Sequence, residues 1–400
     1  MKRRIAVVSS HPIQYHAPWF RAMAASPGLD LEVLFCHRAT AREQAAAGFG
    51  IEFEWDTPLL DGYTHRFLKN VAARPTLSSF GGLDTPELAT LIGERRYRAV
   101  IVNGWHYKSA WQAIRACWAT KTPVLARGDS HLHSPRHAVK KLLKSVPYRW
   151  FIPKFDACLA AGKWSSDYFV HYGAKPEKIF LVPHIVDESR FSKECERLQG
   201  SRHELRRKWH LEQEDIVFLF SGKFIHKKRP MDFVQAINHA ARQSKQIKGL
   251  MVGDGPLRQE CQRMVQETGA PVRFAGFLNQ SQITSAYVSC DALVLPSDGG
   301  ETWGLVVNEA MVTGRACIVS DHVGCGPDLV IPGETGFVFP LGDAQALANF
   351  MLKCQSDRHE LERMGEHARD RVRQYSTSAA VTGVLNAVAA VTTANGNSRG

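Results

Sequence analysis

Two glutamates, Glu301 and Glu309, flank Gly304 in the stretch Ser297-Asp298-Gly299-Gly300-Glu301-Thr302-Trp303-Gly304-Leu305-Val306-Val307-Asn308-Glu309-Ala310-Met311. The apolar run Ala292-Leu293-Val294-Leu295-Pro296 before it reads as a buried parallel strand, and the apolar-periodic residues after Gly304 read as a helix. A strand–loop–helix passage leaves backbone N–H groups open at the helix start, where the helix dipole favours an anion such as phosphate. Glu301 falls in the loop and Glu309 about two turns inside the helix. Carboxylates so placed do not share a proton as a dyad; they suit two parts of one long ligand. On its own the Glu-x7-Glu spacing is common, so the rest of the chain must support it.

A basic run, Ser221-Gly222-Lys223-Phe224-Ile225-His226-Lys227-Lys228-Arg229-Pro230, follows another apolar run. Lys223 and Lys228 are either part of a solvated charged face or ligands for an anion, and their place after a strand favours the second. Arg127-Gly128-Asp129-Ser130-His131-Leu132-His133-Ser134-Pro135-Arg136-His137 holds three histidines and an aspartate. Imidazole and carboxylate are good metal ligands. The order His-x-His-x3-His matches no tight ligand spacing, however, and Pro135 interrupts a helical face. The expectation is no metal.

The elements that must position these residues alternate between strand and helix. Apolar runs predict strands at 5–10, 31–36, 99–104, 123–128, 157–162 and 179–184, then at 216–222, 249–253, 272–277, 292–296, 316–321 and 336–340. Segments such as 17–25 and 109–120 suit crossover helices. This plan predicts an α/β chain of two doubly wound, Rossmann-like domains whose strand carboxyl ends face a central cleft. The polar stretch 187–214 reads as the join, giving domains 1–187 and 188–375. A helix over 376–391 follows, and 392–400 reads as a disordered polar tail.

The 400 residues exceed one ordinary core, and 44% hydrophobic with 22% charged residues is the composition of a soluble globular protein. No apolar run approaches the about 20 residues that span a bilayer, and the basic N-terminus lacks a signal-peptide core, so a cytoplasmic location is expected. Nine scattered cysteines without a Cys-x2-Cys pair predict buried, reduced thiols. A net charge of +11 implies an anionic partner. No nucleic-acid-binding signature accompanies it, which turns the expectation toward phosphorylated ligands or a membrane surface. The stretch 137–154 carries Lys140, Lys141, Lys144, Arg149 and Lys154 among apolar and aromatic residues. It reads either as a crossover helix with a solvated lysine face or as a peripheral contact with an anionic membrane.

The glutamate stretch, with Gly304 between and Ala310-Met311 after, resembles the signature of the retaining glycosyltransferases of family 4, also called group 1. The resemblance extends to Lys223 and Lys228 at the spacing of the family's diphosphate-gripping pair, where the first is usually Arg. Gly253-Asp254-Gly255-Pro256 resembles the family's Gly-x-Gly-Pro turn, and Gly276-Phe277 its nucleobase-receiving stretch. Gly333-Glu334-Thr335-Gly336 resembles its closing Gly-x-x-Gly. These motifs run in the family's order from about 220 to 340; the first half resembles the family in architecture more than in residues.

The resemblance implies the GT-B fold, with the final helix crossing back to the first domain. It implies metal-independent transfer of a sugar from a nucleotide-diphosphate sugar, with retention, to a glycan or lipid-linked saccharide in cell-envelope polysaccharide or glycolipid synthesis. No cofactor is implied. Glu301 would approach the transferred sugar, Glu309 the ribose, and Lys223, Lys228, Gly304, Leu305 and Val306 the diphosphate. Gly253, Gly276 and Phe277 would line the donor site, and His131 would meet the sugar hydroxyls.

After the first strand, Ser9-Ser10-His11-Pro12-Ile13-Gln14-Tyr15-His16 lacks the Gly-x-Gly-x-x-Gly of a nicotinamide dehydrogenase, which argues against that class. It also departs from the family's Gly-Gly loop. His11, Gln14 and His16 either meet the acceptor or, for the histidines, cap the next helix. Trp105 and His106 after the third of these strands either line the cleft or, for Trp105, fill the core. Two other classes stand beside the transferase: a GT-B nucleotide-sugar epimerase or hydrolase, and a non-enzymatic nucleotide-sugar-binding protein.

Overall fold

The computed structural model describes residues 2–40, 43, 52–134 and 138–394. Its first sheet joins β1 (Arg3–Ser9), β2 (Leu29–Phe35), β3 (Thr64–Phe67), β4 (Ala99–Asn103), β5 (Val124–Gly128), β6 (Ala157–Ala160) and β7 (Ile179–Leu181) in the order β3-β2-β1-β4-β5-β6-β7. The second joins β8 (Ile216–Ser221), β9 (Ile247–Val252), β10 (Val272–Gly276), β11 (Ala292–Leu295), β12 (Ala316–Ser320) and β13 (Gly336–Phe339) in the order β10-β9-β8-β11-β12-β13. The named strand pairs are parallel. Strands such as Ile216–Ser221 are buried along their whole length, as a sheet covered on both faces requires.

Each predicted strand is present within a few residues. β3 was not predicted, because Thr64-His65-Arg66-Phe67 has no apolar run. Pairing along β2 and the stacking of Phe67 on Phe35, 5.3 Å between centroids, hold it at the sheet edge.

Among the helices are α1 (Ala17–Ala25), α2 (Lys108–Thr120), α3 (Ala138–Phe151), α4 (Lys163–His171), α5 (Glu188–Gln199), α6 (Arg202–Lys208), α7 (Leu305–Val312), α8 (Arg358–Val372) and α9 (Thr377–Ala394). The polar stretch after Asp187, read as the join, folds as α5 and α6. Asp187 caps α5 by accepting from the N–H of Arg190 at 3.1 Å. Arg206 of α6 is buried, donating to the carbonyls of Ser289, Gln213 and Asp215 and to the Asp291 carboxylate, so its charge is consumed inside the second domain.

α9 extends to Ala394, into the stretch expected to be a disordered tail; residues 395–400 lie outside the described set. Its Ala380, Val384, Ala387 and Val388 are buried with Ile5, Val7, Trp19 and Phe20 of the first domain. The nine cysteines are buried free thiols. Among the described residues no helix is long and apolar enough to cross a membrane.

Strand order reverses on either side of β1 in the first sheet and of β8 in the second. The crevice between β1 and β4, and that between β8 and β11, are where a doubly wound sheet binds ligands. The loops leaving those four strands, with those after β5 and β10, line the site.

Candidate active site

Because β8 and β11 are neighbours, the basic loop after one meets the acidic loop after the other. The amide of Asp298 donates to the Lys227 carbonyl at 2.8 Å, and Lys227 Nζ to the Gly300 carbonyl at 3.3 Å. Lys228 Nζ forms an ion pair with Glu301 Oε2, both side chains nearly buried. Burial works against the Glu301 charge, but Lys228 and Lys227 outweigh it, so the carboxyl sits below its ordinary range and is ionised. Lys223 is pushed down to about 8 by burial first and then by Lys227 and Lys228. The backbones here are close: Gly253, at φ +127°, lies directly against the Gly222 carbonyl, leaving no room for a side chain.

Gly304 begins α7 at φ +105°, and a Cβ there would stand 2.8 Å from Leu295 Cδ2. Leu305 and Val306 follow as the first helical residues, whose N–H groups have no partner within the helix. Glu309, on the next turns, is buried between two phenols: Tyr287 Oη donates to Oε2 at 2.6 Å and Tyr15 Oη to Oε1 at 3.4 Å. Burial raises its pKa, opposed by the tyrosine hydrogen bonds and the Arg190 charge. Gly276 ends β10 at φ +74°, and the Phe277 ring beside it is 4.6 Å from that of Phe53 of the first domain.

The first domain supplies the facing wall. Asp129 Oδ2 accepts from Thr302 Oγ1 at 2.8 Å across the cleft and from His184 Nε2 at 3.3 Å. Arg127 donates to His184 Nδ1 at 3.3 Å, which fixes His184 as the neutral Nε2–H tautomer. Burial opposes the Asp129 charge, yet His184, Thr302 and Arg127 together hold it well below the carboxylate range. His131 is buried beside this chain, and neither ring nitrogen has a hydrogen-bond partner of good geometry. Burial first, and His133 next, lower its pKa against the pull of the Glu301 carbonyl and Asp129, so the ring is neutral. His133 stacks on Trp164 at 4.2 Å; His137 lies outside the described residues.

The remaining first-domain residues divide. Neither His11 nor His16 caps α1 through its side chain. His16 lies 3.2 Å from Asn103 Nδ2, and His11, pushed down to about 4 by burial and then His37, bonds Ser10 Oγ at 3.0 Å. Gln14 lines a small crevice with Arg21 and Arg190. His106 is exposed after β4, whereas Trp105 is packed about 6 Å from each of Tyr148, Phe151, Phe155 and Phe169 and belongs to the core. Sequence reasoning missed Tyr15, Tyr287 and the Asp129–Thr302 contact. Each depends on which segments meet, and only the unusual Thr302-Trp303 pair marks one of them in the sequence.

The model of the family described as glycosyl transferases group 1 matches residues 201–371. That match spans 171 of the 400 residues, within the second half of the chain. Over 138 residues, 34% of this chain and 26% of the relative, it is 36% identical to a sulfoquinovosyl transferase of Arabidopsis thaliana. Over 269 residues, 66% of this chain and 67% of the relative, it is 26% identical to an alpha-1,4-N-acetyl-D-galactosaminyltransferase of Campylobacter jejuni whose name includes a PP-undecaprenol-linked saccharide. The chain thus spans about a quarter of the first relative's length and two thirds of the second's. The crystal structure of HepE from Anabaena in complex with UDP superimposes with a TM-score of 0.73 at 17% identity, covering 97% of this chain and 100% of that one. The fold is GT-B, and the group 1 match lies in its second half.

Proposed function

We propose that this chain is a retaining glycosyltransferase that transfers a sugar from a nucleotide-diphosphate sugar to a saccharide or lipid-linked acceptor without a metal. The observation that carries the reading is the cluster at one cleft of Lys223, Lys228, Glu301, the α7 N-terminus and buried Glu309. The barrier in such a transfer is cleavage of the anomeric C–O bond as negative charge grows on the diphosphate. Lys223, Lys228 and the N–H groups of Leu305 and Val306 supply preorganised positive potential for that charge. Glu301, ionised and fixed by Lys228, orients the transferred sugar, and Glu309 accepts from the ribose hydroxyls. His131, neutral and with neither ring nitrogen in a hydrogen bond of good geometry, bonds the sugar hydroxyls. The acceptor oxygen bonds to the anomeric carbon on the face the diphosphate leaves, and its proton passes to a departing phosphate oxygen, so configuration is retained.

Release of nucleoside diphosphate from a panel of UDP-, GDP-, ADP- and TDP-sugars, with and without EDTA, tests this reading. The expected result is EDTA-insensitive release from one donor, increased by acceptor. Silence across the panel, with no thermal shift from any nucleoside diphosphate, would overturn it. Release unaffected by any acceptor would favour the hydrolase alternative.

The acceptor side supports a membrane-proximal substrate. On α3, Leu143, Val146 and Trp150 are exposed at one-face spacing, with fractional exposures of 71%, 75% and 59%. Arg149 belongs to the same helix, and Lys154 Nζ lies 3.3 Å from the Trp150 ring centre. Lys144 turns inward among Tyr148, Tyr168 and Tyr172 and adds nothing to this face. The expected partner is an anionic bilayer. Cosedimentation with phosphatidylglycerol vesicles, but not phosphatidylcholine vesicles, should be lost in a Leu143→Asp/Trp150→Asp variant. Equal sedimentation of variant and parent would sink this part of the proposal.

A further inference from the structure

A cavity of about 850 Å³ opens on the second domain away from the cleft, between α5, α6 and α8, with the turn Thr313-Gly314-Arg315 as its floor. Six arginines line it, Arg202, Arg206, Arg315, Arg358, Arg369 and Arg373, against four carboxylates. Asp291 is taken by Arg202 and Arg206, each at 2.7 Å. The other three, Glu196, Glu362 and Glu366, are exposed at the mouth. Arg206 is spent on Asp291 and on carbonyls, and Arg373 pairs with Asp370 at 2.8 Å, so the positive charge of the floor comes from Arg315 and Arg369. Arg315 has a buried Nε with no hydrogen-bond partner, and its Nη2 reaches only the Val288 carbonyl, at 3.5 Å. The Arg369 guanidinium lies directly on Gly314, where any side chain would displace it.

A donor buried without a partner is costly, more so when charged, and an anion relieves that cost. The volume falls within the range of small-molecule sites. We propose that this cavity binds a small phosphorylated anion, held by Arg315 and Arg369, at a site separate from the donor cleft. Its position gives the site leverage. α7 starts at the cleft with Gly304, carries Glu309, and ends at this floor, a span of about 12 Å. A smaller cavity of about 360 Å³ shares Ser192, Arg369 and Arg373 and continues to Ser376, where the chain crosses to the first domain. The other crossing, into α5, is tied to it by the Thr377 amide donating to Glu188 at 2.9 Å.

The test is calorimetric titration of inorganic pyrophosphate into the full chain carrying Lys228→Ala, which weakens the cleft's own grip. One-site binding is expected there, weakened at least about tenfold by adding Arg369→Gln or Arg315→Gln, the loss expected for a charge-assisted hydrogen bond. Arg369 is exposed on α8, so its variant keeps the test valid if Arg315→Gln unfolds. Binding present in the parent and abolished by Lys228→Ala would assign the anion to the cleft and overturn the proposal. Binding to Lys228→Ala that both arginine substitutions leave unchanged would overturn it too, and would leave the arginines as caps for the negative C-terminal end of α7.

Discussion

Lys223 is the residue whose protonation sets the usable pH of the proposed donor site. Burial, with Lys227 and Lys228 nearby, brings it down to about 8 in the free protein. A cation whose pKa is lowered keeps its charge below that value and loses it as pH rises through it. The profile of kcat/KM, which reports the free enzyme, should therefore fall above about pH 8. Lys223→Arg, a side chain that stays protonated, should remove that alkaline limb. An unchanged limb in the arginine variant would detach it from Lys223. The apolar runs before them put Glu301, Lys223 and Lys228 in loops after strands, and the family resemblance put them together with Glu309; that β8 and β11 are neighbours emerges only in the fold. Their partners were not legible in the sequence. Tyr15 and Tyr287 reach Glu309 from segments 294 and 22 positions away, and Asp129 reaches Thr302 from 173 away. No local spacing encodes such meetings.

At the scale of elements, strands were easy to read because both sheets are buried and their runs are continuously apolar. β3 escaped because its side chains are polar and its pairing with β2 is what makes it a strand. α5 and α6 escaped because their charges, Arg206 above all, are satisfied inside the fold rather than by water. The loop-to-helix passage at Gly304 carries a local constraint that bears on the site. At a φ of +105° a side chain is strained, and its Cβ would press on Leu295 Cδ2. Gly304→Ala should lower unfolding free energy by about 2 kcal/mol through strain and overpacking. The distorted helix start should lower turnover at least about tenfold, of the order seen when one oxyanion donor is lost. Denaturant titration and initial rates check both. Wild-type values in both would show that the α7 N-terminus tolerates the change and plays no such part.

For the whole molecule, the two domains are joined by contacts that sequence alone did not show. The Asp328 carboxylate accepts from the Lys163 amide at the start of α4, at 3.0 and 3.1 Å. Asn279 Nδ2 donates to the Glu54 carbonyl at 2.7 Å, and the Ser281 amide to Asp56. The largest tie is α9, which leaves the second domain and fills the core of the first. Val384→Asp would bury a carboxylate there without a partner. It should lower the stability of the first domain by more than about 3 kcal/mol, read as an earlier transition in urea while the second domain keeps its midpoint. Coincident, unshifted transitions would mean that α9 contributes little.

The claim on which the account turns is that one cleft holds a nucleoside diphosphate with its charge on Lys228 and its ribose on Glu309. Calorimetry with a nucleoside monophosphate and diphosphate of the same base, on the parent, Lys228→Ala and Glu309→Ala, tests it directly. The parent should prefer the diphosphate by about tenfold or more, Lys228→Ala should abolish that preference, and Glu309→Ala should weaken both ligands alike by roughly ten- to a hundredfold. A diphosphate preference that survives in Lys228→Ala, or affinities that Glu309→Ala leaves untouched, would contradict it.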